Sequence, residues 1–179
     1  MRFKLVPLQI VICIAFLFSC SSNLNFDNTN LEIEPEVTIP LVFFELDQRD
    51  FLDENNQEIT VVSDITFFRI FDNTVLKDNL VQLTLDFEIE NGFDRSFLVD
   101  FVFLDEDESI TYDLEDFSIN AGDLDYSSTR SIVIETSPEF LNSIKVRVDV
   151  VLSPSTTILN PDIEKTFKFR SSGTFYLKF

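Results

Sequence analysis

The residues that could do chemistry in this sequence are carboxylates, and they are concentrated in one stretch. Every charged residue between Arg95 and Arg130 is acidic. Clustered carboxylate oxygens are the ligands that hard cations such as Ca²⁺ prefer, and the candidate ligands are Asp105, Asp107, Asp123 and Asp125. These four could share one ion only if their turns lie at the same end of the fold. One extended strand between the two pairs would hold them apart, leaving solvated acidic turns.

A twelve-residue calcium loop starting at Asp105 fails at one position. Acidic or hydroxyl residues do occupy its ligand positions, namely Asp105, Asp107, Ser109, Thr111, Asp113 and Asp116. The sixth position requires glycine for a sharp turn, and here it is Ile110, whose branched side chain disfavours a positive φ. The sequence therefore argues against an EF-hand, and we expect no resident metal or cofactor.

The usual catalytic groups are scarce. The chain has no histidine, the commonest general base, and its two cysteines, Cys13 and Cys20, both fall in the first twenty residues. Paired carboxylates can hydrolyse glycosides, but that chemistry needs a deep cleft, usually with aromatic platforms, and the chain has no tryptophan. The sequence therefore predicts that the protein is not an enzyme.

The charge balance limits the partners. The chain has 32 acidic and 13 basic residues, which gives a formal net charge of −19 at pH 7. Such a charge repels nucleic acid and anionic lipid surfaces. We therefore expect neither of them to be a direct partner.

The N-terminus has the pattern of an export signal. Arg2 and Lys4 precede Leu5–Phe18, which carries no charge and is mostly aliphatic or aromatic. This apolar run is shorter than the roughly 20 residues of a spanning helix. The pattern predicts a signal peptide at residues 1–19.

The four residues Leu17-Phe18-Ser19-Cys20 resemble the lipobox of bacterial lipoproteins. The resemblance implies cleavage before Cys20 and a diacylglycerol on its thiol, and two or three acyl chains would anchor the protein stably. We expect residues 20–36 to form the lipidated cysteine and a flexible tether, followed by one domain at 37–179. The sequence after Cys20 leaves open whether that domain faces the periplasm or the cell surface.

From Leu31 onward, apolar and polar residues alternate in short runs separated by polar turns, which is the pattern of β-strands. The clearest run is Val81–Glu90, and Lys145–Leu152 alternates in the same way. Eight or nine such runs predict an all-β, antiparallel, two-layer sandwich. We also expect a helical turn capped by Ser137, and two closing strands separated by Ser171-Ser172-Gly173.

Three runs resemble uncharacterised lipoproteins of flavobacteria and related Bacteroidetes: LVQLTLDFEIENGFDRSFLVDFVFLDEDESITYDL, FLNSIKVRVDVVL and the terminal GTFYLKF. The resemblance implies an immunoglobulin-like β-sandwich on an outer-membrane lipid anchor, without catalytic residues. We therefore expect a non-catalytic binding or structural module of the cell envelope, acting through contact with a protein or a glycan. The alternative is a cation- or small-ligand-binding accessory protein of an envelope export or uptake system.

Overall fold

The computed structural model describes residues 34–156, 159–160 and 162–179. The predicted signal peptide, Cys20 and most of the predicted tether lie outside these ranges. In the part of the chain that the structure describes, no helix combines the length and the apolar character needed to cross a bilayer.

The described residues form two antiparallel sheets. Sheet 1 has the order β1-β9-β3-β7, and sheet 2 has the order β2-β8-β4-β5 with β6 also paired to β4. The strands are β1 (Glu36–Asp47), β2 (Val61–Phe67), β3 (Leu80–Asn91), β4 (Phe97–Leu104), β5 (Ile110–Asp113), β6 (Phe117–Ile119), β7 (Tyr126–Val133), β8 (Lys145–Leu152) and β9 (Thr166–Leu177). The predicted all-β antiparallel sandwich is therefore confirmed.

The strand pairing is nested. β4 pairs with β5 and β6, β3 with β7, β2 with β8, and β1 with β9. Successive pairs lie alternately in the two sheets, so the chain follows a long hairpin rolled up on itself, which is the jelly-roll form of the sandwich. An immunoglobulin domain keeps its last two strands side by side in one sheet, whereas β8 and β9 lie in opposite sheets. The finer, immunoglobulin-like strand order is therefore not the observed one, because long-range pairing is not encoded in local alternation.

The last strand, β9, runs unbroken through the predicted turn. Ser171 and Gly173 continue the inward-facing series of alternate residues, and both are buried. A Cβ on Gly173 would lie 3.0 Å from Leu83 Cδ1 and 3.1 Å from Leu41 Cδ1. The prediction of two closing strands is wrong because this glycine makes room for core side chains and does not form a turn.

The helical segments are short. An α-helix, α1 (Thr74–Asn79), begins after Asn73, whose Oδ1 accepts a hydrogen bond from the Val75 backbone N at 3.0 Å. Turns of 3₁₀ helix occupy Gln48–Phe51, Arg69–Asp72 and Pro138–Asn142. The last confirms the predicted helical turn, but the proposed cap is wrong, since the Ser137 side chain makes no capping hydrogen bond.

Phenylalanine rings fill the space between the sheets. Neighbouring ring centroids lie 4.6 to 6.1 Å apart within the core, with edge and tilted arrangements predominating. Each such pair contributes about 0.5–1.5 kcal/mol beyond area burial. The fully buried rings are Phe51, Phe87, Phe93, Phe97, Phe101, Phe103, Phe117, Phe140, Phe167, Phe169 and Phe175.

A polar network holds the loop between β8 and β9 against one end of the sandwich. Nη1 of the buried Arg95 lies 3.2 Å from Glu58 Oε1. The same oxygen accepts a hydrogen bond from the Leu159 backbone N at 2.7 Å. Gln48 accepts the Asn160 backbone N at 2.9 Å. Because Arg95 Nε also donates a hydrogen bond to the Ser153 carbonyl at 3.2 Å, side chains from three separate segments hold the loop.

Candidate binding face

The predicted calcium ligands do not come together. Asp105 and Asp107 follow the C-terminal end of β4, whereas Asp123 and Asp125 follow β6, whose Ile119 pairs with Phe97 at the other end of β4. An eight-residue strand is about 26 Å long. Over the residues that the structure describes, no group of three or more potential ligands is arranged to hold a metal ion.

Two of these carboxylates instead cap turns. Asp105 Oδ1 accepts a hydrogen bond from the Ser109 backbone N at 2.8 Å, and Asp123 Oδ1 accepts one from the Asp125 backbone N at 3.2 Å. Short acidic side chains commonly satisfy backbone donors two to four residues further on. The acidic turns therefore have a structural explanation.

The outer face of sheet 2 carries a polar row across three strands. Ser63 on β2 lies opposite Asp149 on β8, and Asp149 lies opposite Asp100 on β4. The Ser63 hydroxyl donates a hydrogen bond to Asp149. Arg147 places its Nε 3.0 Å from Asp149 Oδ2 and its Nη2 3.9 Å from Asp100 Oδ2. We call Ser63, Asp100, Arg147 and Asp149 the carboxylate row.

Asp100 is the unusual member of this row. Burial raises the pKa of its carboxyl, and the negative charges of Asp113, Asp116 and Asp149 raise that pKa further, while Arg147 lowers it. A carboxyl with a raised pKa beside a second carboxylate is an arrangement that acid–base catalysis uses.

The position of the carboxylate row can be compared with the cavities on the surface. Five surface cavities formed by described residues have volumes of about 120 to 290 Å³. None of them is lined by Asp100, Arg147 or Asp149. The carboxylate row therefore lies outside these five cavities, on the outer face of sheet 2.

An apolar stripe borders the carboxylate row. Edge strand β2 carries three apolar side chains that project outward on the same side as Ser63, namely Val61, Ile65 and Phe67. The Phe67 side chain is 67% exposed. The Arg69 guanidinium lies 4.8 Å from the Phe67 ring centroid. Single exposed apolar residues are common on proteins, whereas large contiguous apolar patches are typical of contact surfaces. We call Val61, Ile65 and Phe67 the β2 stripe.

Sequence reasoning missed the β2 stripe because the alternation of this strand is inverted. Its outward positions are apolar, while one inward position is Asp64, opposite the buried Val148. Because apolar residues occupy the solvent-facing positions, the sequence of this segment does not indicate a clear strand. The period-two spacing of Ile65 and Phe67 was nevertheless a usable signal.

The outer face of sheet 1 differs in character. A row of hydroxyl side chains crosses all four strands, formed by Thr38, Thr174, Thr84 and Ser131. Further along the same face, Arg170 Nη1 lies 3.0 Å from Glu90 Oε1. One outward aromatic residue, Phe43 on edge strand β1, matches Phe67 in exposure at 67%. Phe43 can therefore serve as a control position for experiments on the outer face of sheet 2.

No family model matches the chain, and no curated protein matches it. Similar solved structures include a protein of Parabacteroides distasonis described as secreted (TM-score 0.49, 9% identity, 64% of this chain and 38% of that one). Another is the structure of infectious bursal disease virus, Gx strain (TM-score 0.45, 9% identity, 82% of this chain and 32% of that one). A third is from the disulfide-linked pili of Bacillus endospore appendages (TM-score 0.35, 11% identity, 81% of this chain and 91% of that one). The chain thus spans less than two fifths of the first two.

Proposed function

We propose that this protein is a non-catalytic binding module of the bacterial cell envelope, anchored in the outer membrane by lipid on Cys20. Its contact surface is the outer face of sheet 2. The observation that carries the proposal is the β2 stripe lying directly beside the carboxylate row.

The composition of this face favours a protein partner. Burying an exposed valine, isoleucine or phenylalanine contributes about 1.5–3 kcal/mol per side chain, and the neighbouring carboxylates add charge selectivity. Small-ligand pockets usually have volumes of about 300–1,000 Å³, and the five cavities described above are smaller. A surface contact is therefore favoured over a small-ligand pocket.

The test is photocrosslinking in intact cells with benzoylphenylalanine placed at Phe67. The matched control is the same probe at Phe43, which is equally exposed on the edge strand of the other sheet. We expect a reproducible protein adduct from position 67 and none of the same mass from position 43. Adducts of equal yield at both positions, or none at either, contradict the proposal.

A further inference from the structure

The sandwich is open on the side where the two edge strands β1 and β2 face each other. β1 pairs only with β9 and β2 only with β8 among the described strands. A groove of about 120 Å³ lies there between the sheets, lined by Phe44, Leu46, Val62, Asp64, Val148 and Val150. Five of these six residues are apolar.

This side combines two features that strand-accepting proteins use. An edge strand presents backbone N–H and C=O groups that can pair with an added strand. The apolar groove beside β2 can hold alternate side chains of that strand. Addition of a strand to β2 would thus extend sheet 2 and cover the groove at once.

Asp64 is the one charged residue of the groove. It lies at an inward position of β2, opposite the buried Val148, and is exposed at the edge. No lysine or arginine in the described part of the chain forms an ion pair with it. An added strand would cover this carboxylate, and covering a charge is costly unless an opposite charge accompanies it.

We infer that the groove accepts an extended segment of the partner protein by strand addition to β2. That segment has one lysine or arginine facing Asp64, flanked by apolar residues at alternate positions. The inference rests on the proposed function, because it specifies how the same partner is recognised. Alternate side chains of a strand are about 6.6–6.8 Å apart, so the sequence pattern is apolar, any, basic, any, apolar.

The same charge disfavours a second copy of the chain. Antiparallel pairing of two β2 strands about a two-fold axis at their central residue would place Asp64 opposite Asp64. Like charges directly opposite each other on paired strands are destabilising. The groove therefore selects a cationic strand over its own edge.

The test is a fluorescence anisotropy titration of the full-length protein in detergent with two peptides that carry a dye on the N-terminus, Val-Thr-Lys-Thr-Val-amide and the same peptide with glutamate replacing lysine. We expect the lysine peptide to bind roughly tenfold more tightly. Asp64→Asn should remove this preference and Asp64→Lys should invert it. Asp86→Asn, an outward substitution on sheet 1, is the control and should leave it unchanged.

Any of three results overturns the inference. The two peptides bind equally, neither of them binds, or the Asp64→Lys variant does not invert the preference. Thermal melting checks that each variant is folded. If position 67 still gives protein adducts while the peptides fail, the groove inference alone is wrong. If the peptides bind with the expected preference but position 67 gives no adduct, the proposed contact face is wrong.

Discussion

Asp100 and Asp149 lie directly opposite each other on β4 and β8, and one guanidinium, that of Arg147, is within 3.9 Å of both. Two carboxylates in this position repel each other. Arg147 offsets the repulsion only in part, since the pKa of Asp100 stays raised by burial and by its acidic neighbours. The sheet 2 face therefore holds a charge that the fold itself does not stabilise.

This relationship predicts a pH-dependent stability. Because the folded state binds the Asp100 proton more tightly than the unfolded chain does, ionised Asp100 destabilises the fold at neutral pH. That cost disappears as the pH falls towards the ordinary aspartate pKa of 3.8. Asp100→Asn should therefore raise Tm at pH 7, with a gain that shrinks towards pH 3.8, measured by circular dichroism melting.

Arg147→Met serves as the control of opposite sign, since it removes the one basic group that the described residues place between the two carboxylates. It should lower Tm at pH 7 and have less effect in acid. An Asp100→Asn variant that melts below the wild type at pH 7 would show that Asp100 stabilises the fold.

The network holding the β8–β9 loop predicts a large effect from one carboxylate. Glu58→Ala removes both the ion pair with the buried Arg95 and the acceptor for the Leu159 backbone N. We expect a loss of about 2–3 kcal/mol in the free energy of unfolding, measured by urea denaturation. Glu45→Ala, which removes an exposed pair with Lys168, should cost under about 0.5 kcal/mol. Equal losses in the two variants would contradict the network.

Two glycines should resist substitution for different reasons. Gly173→Ala places a methyl group against Leu83 and Leu41. We expect a loss of about 1–3 kcal/mol in the free energy of unfolding, which Leu83→Val partly restores. Gly122 has open space but a φ of 70°, so Gly122→Ala should cost about 1–2 kcal/mol while Gly122→Asn is better tolerated. Denaturation curves of the single and double variants measure both effects, and additive losses for Gly173→Ala with Leu83→Val would contradict the packing explanation.

The proposed anchor makes a separate prediction. Cys20→Ser should abolish incorporation of an alkyne-labelled fatty acid and shift the protein from the membrane fraction to the soluble fraction. Cys13→Ser is the matched control, because that residue lies within the predicted signal peptide. A labelled, membrane-bound Cys20→Ser protein would contradict lipidation at this residue.

The sequence was most informative where one face of a strand is wet and the other is dry. The bounds of β8, Lys145–Leu152, agree with the prediction because each inward residue is apolar. β7 is harder to predict because two of its inward positions, Ser128 and Arg130, are polar, and the Arg130 guanidinium lies 5.1 Å from the Phe117 ring centroid. The β2 stripe was missed for a related reason, as Asp64 occupies an inward position. Edge strands depart from simple alternation because water reaches both of their faces.

The contact face is tested most directly by the affinity of the purified full-length protein for the partner crosslinked at position 67. Phe67→Ser should weaken binding by roughly tenfold or more, as expected for loss of an aromatic anchor. Phe43→Ser, an equally exposed substitution on sheet 1, should leave the Kd unchanged. The account is contradicted if the two variants bind the partner with the same affinity.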